Sequence, residues 1–142
     1  MDLLFILRDA LASSLTGGLL TAIEARKAGQ AVGVVLTQEA LAAAVRGTFA
    51  WPRELSGQAL RLQLADRAKA AGLPLMGRGE GRQLDAKALI ARAVEAGVTV
   101  WACPIWSTLL GLDGALPRGI TAIDTAALLR ELREAERVIG TL

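Results

Sequence analysis

Short apolar segments that alternate with helical patterns constrain the fold of this chain more than any other feature. Leu3–Leu7 is a continuous apolar run, and Ala31–Leu36 and Val98–Ala102 are similar segments rich in valine. Runs of this kind predict strands that are buried on both faces, as in a parallel sheet. Because helical patterns separate them, they indicate βαβ units. We therefore predict an α/β fold, a three-layer α/β/α sandwich around a mostly parallel sheet of five or six strands.

The remaining elements are predicted from residues that begin and end helices. Ser13 and Ser14 offer an N-cap for the first helix, and Thr37 and Asp85 offer caps for later ones. The predicted helices cover residues 13–27, 38–46, 56–71, 85–96 and 124–136, with another that begins at Pro104. Short strands are predicted at 73–76, 120–123 and 138–142, and a turn-rich connection at 113–119. A chain of 142 residues fits one domain, so we expect a single domain over 1–142.

Two of these helices carry a more specific expectation. Gly17 and Gly18 lie inside the first helix, where each costs about 1 kcal/mol relative to alanine. Either this helix packs very closely on the sheet, or its backbone approaches a ligand. In the helix over 124–136, the spacing of Leu128, Leu129 and Leu132 predicts that all three face inward.

The composition excludes several kinds of chemistry. Cys103 is the only cysteine and there is no histidine, so neither an internal disulfide nor Ser-His-Asp or Cys-His catalysis within the chain is available. A zinc site would have to be built from carboxylates, which zinc sites in proteins rarely are. We accordingly predict no metal and no cofactor.

The charge pattern is that of a mixed, solvated surface. Arginines supply most of the 16 basic residues and are interleaved with 14 acidic ones along the chain, for a net charge of +2. A nucleic-acid interface needs a basic stripe, so we expect no nucleic-acid partner. Apolar runs fall well short of the roughly 20 residues that span a bilayer, and the first residues lack the basic region of a signal peptide. We expect a soluble, cytoplasmic protein without a membrane partner.

Cys103 is the predicted reactive residue. It follows the strand over 98–102, and the carboxyl ends of strands are where open α/β sheets bind ligands. Pro104 suits the first position of a helix, which would bring the sulfur close to helix amides that favour the thiolate. A thiolate here could attack a sulfane sulfur and carry a persulfide. The alternative is a small, buried and inert side chain.

Three segments around this cysteine resemble the DsrE/DsrF-like family. They are Val98-x-Val100-x-Ala102-Cys103, then Leu109-Leu110-Gly111-Leu112, and Leu116-Pro117-x-Gly119-Ile120. The resemblance implies a flavodoxin-like parallel sheet and homo- or hetero-oligomers, often trimers or hexamers. It also implies that a cysteine at the place of Cys103 carries persulfide sulfur, with donor or acceptor proteins as partners.

The chain departs from this pattern after the cysteine, where Pro104-Ile105-Trp106 is bulkier and more apolar than the relay proteins lead us to expect. Cys103 is then either shielded between tryptophans or part of the lining of an apolar pocket. The alternative function is an oligomeric module that binds a small ligand or a partner subunit without turnover.

Other side chains predicted near the same edge of the sheet are candidates for ligand binding. The hydroxyls and glycine of 13–18 suggest a phosphate cradle, against which ordinary capping and packing weigh. Tryptophans suggest pocket walls or an interface, with core packing as the alternative. The full set is Asp9, Ser13, Ser14, Thr16, Gly17, Thr37, Trp51, Pro104 and Trp106.

Overall fold

A five-stranded parallel sheet forms the centre of the molecule in a computed structural model that describes residues 1–112, 114–140 and 142. The strand order is β6-β5-β2-β1-β7, and every pairing in the sheet is parallel. The five strands are β1 (Leu3–Leu7), β2 (Val32–Leu36), β5 (Thr99–Ala102), β6 (Ile120–Ala122) and β7 (Arg137–Ile139). Two further strands, β3 (Leu75–Met76) and β4 (Gln83–Leu84), pair antiparallel as a separate hairpin.

Within the described residues, six α-helices connect these strands. They are α1 (Ala12–Lys27), α2 (Gln38–Arg46), α3 (Gln58–Ala70), α4 (Ala88–Glu95), α5 (Pro104–Leu109) and α6 (Thr125–Glu134). The arrangement is a three-layer, flavodoxin-like sandwich, which confirms the predicted fold class. None of the helices in the described residues is long and apolar enough to cross a bilayer.

The two faces of the sheet are packed differently because side chains alternate along each strand. Leu3 and Phe5 point to the face covered by α1, α2 and α4, where most of the buried residues form one large core. Leu4 and Val35 point to the other face, where they form a small core with Leu128 of α6. On that face Gly33 makes room for larger neighbours, since a Cβ there would lie 2.7 Å from Met1 Sδ and 2.8 Å from Trp101 Cζ3.

Strand register sets the edge at which chemistry is expected. Leu7 is paired with Leu36, and Leu36 with Ala102, so three adjacent strands end at one level. The residues that follow them, Arg8, Thr37 and Cys103, therefore leave the sheet side by side.

Some predicted elements were wrong. Residues 73–76 do not join the main sheet, because Leu75 and Met76 pair with β4 in a hairpin closed by Gly77 at φ +79. The first helix begins at Ala12 rather than at Ser13 or Ser14, and its N-cap residue, Leu11, makes no side-chain capping bond. The helix predicted over 85–96 begins at Ala88 with Lys87 as its N-cap, although the Asp85 carboxylate accepts from Ala88 N–H at 3.0 Å. The last strand ends at Ile139, and within the predicted segments 113–119 and 138–142, residues 113 and 141 lie outside the described residues.

The adjacent glycines of α1 have different surroundings. A Cβ on Gly18 would lie 2.7 Å from a methyl carbon of Leu7. This position of α1 therefore packs closely on β1, which was one of the two alternatives predicted for the paired glycines. A Cβ on Gly17 would meet no atom within 4 Å, and the residue is exposed.

We predict that Gly17→Ala stabilises the protein and that Gly18→Ala does not. Alanine at an exposed interior helix position gains about 0.5–1 kcal/mol over glycine, because it loses less backbone entropy on folding. At position 18 the Leu7 side chain must move, which offsets that gain. Urea denaturation of both variants measures the difference, and a Gly17→Ala variant less stable than wild type would contradict it.

The β3–β4 hairpin is joined to α3 by an ion pair. Arg82 donates to Asp66 through Nε at 2.9 Å and through its NH2 group at 3.2 Å. This hydrogen bond to Arg82 lowers the pKa of Asp66, and the same bond raises the pKa of Arg82.

We predict that this ion pair weakens at acidic pH. A carboxyl group whose pKa is lowered in the folded state stabilises that state above its unfolded pKa, here 3.8. The stabilisation is lost as the pH falls through the depressed folded pKa. The protection factors of the amides of residues 75–84, in which the intrinsic pH dependence of exchange is divided out, should therefore fall at low pH in wild type. In Asp66→Asn this pH-dependent part should be missing, and an unchanged acid response in that variant would contradict the assignment.

Candidate functional site

Cys103 is held at the junction of β5 and α5 by its main chain. Its N–H donates to Leu36 O at 2.9 Å, which extends the β2–β5 pairing by one residue. Its carbonyl accepts from Ser107 N–H at 2.8 Å, which is the first hydrogen bond of α5. Pro104 occupies the first position of that helix, where its missing N–H costs nothing. The predicted strand–cysteine–proline–helix geometry is therefore present.

The thiol is buried but borders a small cavity. Cys103 is 3% exposed and contacts the minor core formed by Leu4, Val35 and Leu128. The cavity on its other side has a volume of about 130 Å³. Its lining is mostly apolar and comes from α5, α6 and the start of α2, through Thr37, Gln38, Cys103, Pro104, Ile105, Trp106, Thr125, Leu128, Leu129, Leu132 and Leu142.

The chemistry of this cavity is set by hydroxyl, amide and apolar groups. Apart from the thiol, the side chains that line it carry no ionisable group. The described residues also hold no cluster of three or more metal-ligating acids or cysteines. The cavity therefore surrounds a reactive sulfur with apolar side chains, which shelter it from water, and with a few hydroxyl and amide groups.

The start of α2 contributes Thr37 and Gln38 to the lining of the cavity. Of the four N–H groups that open this helix, Ala40 donates to Arg8 O and Leu41 to Thr37 O. The N–H groups of Gln38 and Glu39 donate to no group in the described residues. Gln38 also has φ 50, the one positive φ of a non-glycine residue in the described chain. Such a conformation costs about 1–3 kcal/mol and is concentrated at functional sites.

Helix α6 forms the roof of the cavity and is thinly packed. Leu128 is its one buried residue, whereas Leu129 is 59% exposed, so the prediction that Leu129 faces inward was wrong. Three of the apolar side chains that line the cavity are exposed: Ile105 (58%), Leu129 (59%) and Leu142 (55%). The cavity of the sulfur is therefore bordered at the surface by apolar side chains.

The structure divides the candidates from the sequence among three cavities. Thr37, Pro104 and Trp106 line the cavity of Cys103. Asp9 and Ser14 line a second one of about 170 Å³, where Asp9 also accepts from Leu11 N–H at 2.9 Å and so stabilises a turn. A third cavity, beside α3, brings together Ser13, Thr16 and Trp51. Gly17 lies on none of these walls.

Most of the residues that line the Cys103 cavity were not among the candidates, including Gln38, Leu128 and Leu132. Gln38 follows a predicted cap, but nothing in the sequence marks its positive φ. Leu128 and Leu132 were predicted to face the core from their spacing, which signals burial and not proximity to one sulfur atom. Only the crossover that carries α6 back over the sheet brings them to Cys103.

We predict that Cys103 is alkylated slowly in the folded protein and that trimming the roof speeds the reaction. Iodoacetamide should label wild type at least about tenfold more slowly than the urea-unfolded chain, because the thiolate must be reached to react. Leu129→Ala should raise the native rate several-fold. The matched control is Leu109→Ala, which removes a leucine 67% exposed that does not line the cavity. Equal rates for folded and unfolded protein would contradict the prediction.

Comparison with known proteins identifies the fold. No protein-family model and no curated protein matches this chain. Among solved structures, the YchN protein from E. coli superimposes with a TM-score of 0.62 at 17% identity, over 99% of this chain and 100% of that one. A conserved protein of unknown function from Bacteroides thetaiotaomicron gives a TM-score of 0.57 at 12% identity, over 99% and 94%. At such identities the likeness shows a related fold and nothing finer.

Proposed function

We propose that this chain is a DsrE-like protein and that Cys103 carries sulfur as a persulfide. The observation that carries the proposal is a lone thiol at the carboxyl end of β5, on the wall of an apolar cavity. The resemblance of residues 98–120 to the DsrE/DsrF-like family and the related fold support the same assignment.

The reaction is a thiol–persulfide exchange. The Cys103 thiolate attacks the outer sulfur of a donor persulfide, R–S–SH, forming a new S–S bond while the donor's own S–S bond breaks. The products are Cys103–S–SH and the thiolate R–S⁻, so the exchange involves no net oxidation and needs no further reactant. In-line attack on the outer sulfur is the ordinary course of such exchanges.

The cavity suits the product of this exchange. Its volume of about 130 Å³ exceeds the roughly 30 Å³ share of one water molecule, which leaves room for one more sulfur atom beside the thiol. The surrounding leucines and Trp106 keep bulk water and dissolved thiols from the bound sulfur. Gln38, whose N–H donates to no group in the described residues, lines the same cavity and offers a hydrogen-bond donor to the added sulfur.

The exposed rim formed by Ile105, Leu129 and Leu142 is the proposed contact surface for another protein. Solvent-facing apolar side chains grouped around a cavity mouth are typical of interaction sites. The partner is a sulfur donor or acceptor, or a second copy of this chain, as the homo-oligomers of DsrE-like proteins suggest. Binding there would move or replace the roof and open the path to Cys103.

We predict that Cys103 takes up one sulfur atom. The purified protein is incubated with a cysteine desulfurase and cysteine, or with polysulfide, and its intact mass is measured. Wild type should gain the mass of one sulfur atom, and dithiothreitol should remove it. Cys103→Ser should gain none.

The decisive control is a known persulfide carrier treated in parallel. If that carrier is loaded and wild type stays unmodified with both sulfur sources, the proposal fails. Loading by polysulfide alone would retain the chemistry of Cys103 and exclude the desulfurase as its donor.

A further inference from the structure

We propose that the cleft between α1 and α3 binds a small aromatic carboxylate, independently of Cys103. The cleft has a volume of about 300 Å³ and shares no lining residue with the cavity of the thiol. That volume lies at the lower end of the roughly 300–1,000 Å³ found for small-molecule sites, so the ligand is about the size of one ring with a short acidic chain.

The α3 wall of the cleft is one continuous stripe of that helix. Leu64, Arg67, Ala68 and Ala71 follow the spacing i, i+3, i+4 and i+7, which places them on one face. Two of the four are alanines, and their short side chains leave the space that a larger residue would fill. The cleft therefore forms because two of the residues on this face of α3 are small, while the helix itself remains regular.

The α1 wall contains a polar atom with no partner. Thr16 Oγ1 is buried and makes no hydrogen bond in the described structure. Two other helical threonines bond back to their own helix: Thr21 to Gly17 O at 2.8 Å and Thr108 to Pro104 O at 3.1 Å. A buried hydroxyl left unbonded is unfavourable, and a ligand oxygen that reaches it through a small movement of the cleft wall would satisfy it. Ser13, one turn earlier on α1, adds a second hydroxyl to the same wall.

The base of the cleft is apolar and includes a flat aromatic surface. Trp51 lies there with Leu55, Leu73 and Leu84. Aromatic side chains favour offset-stacked or edge-to-face contacts with other rings. The body of the ligand is therefore aromatic.

The charge of the ligand follows from Arg67. Its neighbour Asp66 is already held by Arg82, and Arg67 forms no ion pair within the described residues. The cleft wall has no acidic side chain. A guanidinium offers several donors in a fork that matches a carboxylate, so the acidic group of the ligand is placed at Arg67.

The test uses 4-phenylbutyrate as the probe, with 4-phenylbutan-1-ol and 4-phenylbutylamine as its neutral and cationic analogues. Binding to the full chain is measured by calorimetry and by amide chemical shifts. The acid should bind about tenfold more tightly than the alcohol, since a charge-assisted bond is involved, and the amine should bind most weakly. Shifts should be confined to the cleft. Equal affinity for all three probes, or no binding by the acid at millimolar concentration, would overturn the proposal.

Variants locate the site. Arg67→Gln should weaken binding of the acid about tenfold, whereas Lys69→Gln, on the same helix but outside the cleft, should leave it unchanged. Thr16→Val should weaken it several-fold without loss of folding, because the hydroxyl makes no bond to the protein. Ala71→Leu should fill the cleft and abolish binding. Cys103→Ser should bind as wild type does. Affinity that is insensitive to Arg67, Thr16 and Ala71 would place the probe elsewhere and refute the assignment.

Discussion

The parallel pairing of β2 with β1 on one side and β5 on the other is the interaction on which the rest of the structure depends. All five residues of β2 are buried, so its position is fixed from both faces and both edges. A shift of one residue would exchange the faces of Val34 and Val35 and disrupt the packing of both cores. The same register aligns the ends of three strands, and Cys103 continues it through its N–H bond to Leu36. The position of the site therefore follows from the pairing of the central strands.

The unequal covering of the two faces explains where the molecule is open to other groups. Three helices seal one face, whereas α6 shelters the other with a single buried leucine. Exposed apolar side chains accumulate around that thin side, at Leu129 and Leu142, and at Val138 of the edge strand β7, which is paired with Leu4. Loosely packed elements open at lower free energy than the core does. A buried thiol beneath such an element is protected at rest and reachable after a small rearrangement.

Sequence patterns predicted the parts of this fold that are determined by burial on both faces. β1 was predicted at its observed residues and β2 within one, because an unbroken apolar run is buried wherever it pairs. The segment at 73–76 has a similar composition, but its partner is β4, and nothing local distinguishes a hairpin from a sixth parallel strand. The start of α1 was missed for a comparable reason, since Ala12 N–H donates to the distant Ala50 O. Cys103 was placed by the end of a strand, whereas Gln38 and the roof of α6 reach it only through tertiary structure. The division of the other candidates among separate cavities follows from the same long-range packing.

The composition of the Cys103 cavity limits the acid–base chemistry available to the proposed carrier. The chain has no histidine, and among the described residues that line the cavity no side chain other than the thiol is ionisable, so they offer no proton acceptor at the sulfur. The proposed exchange starts from the Cys103 thiolate and releases the donor as a thiolate, so the proton that Cys103 loses beforehand must pass to solvent or to a group of the bound donor. Under the proposed function, a donor seated at the mouth, where Ile105, Leu129 and Leu142 are exposed, would supply that group. Reactivity of the sulfur and recognition of the donor would then be coupled.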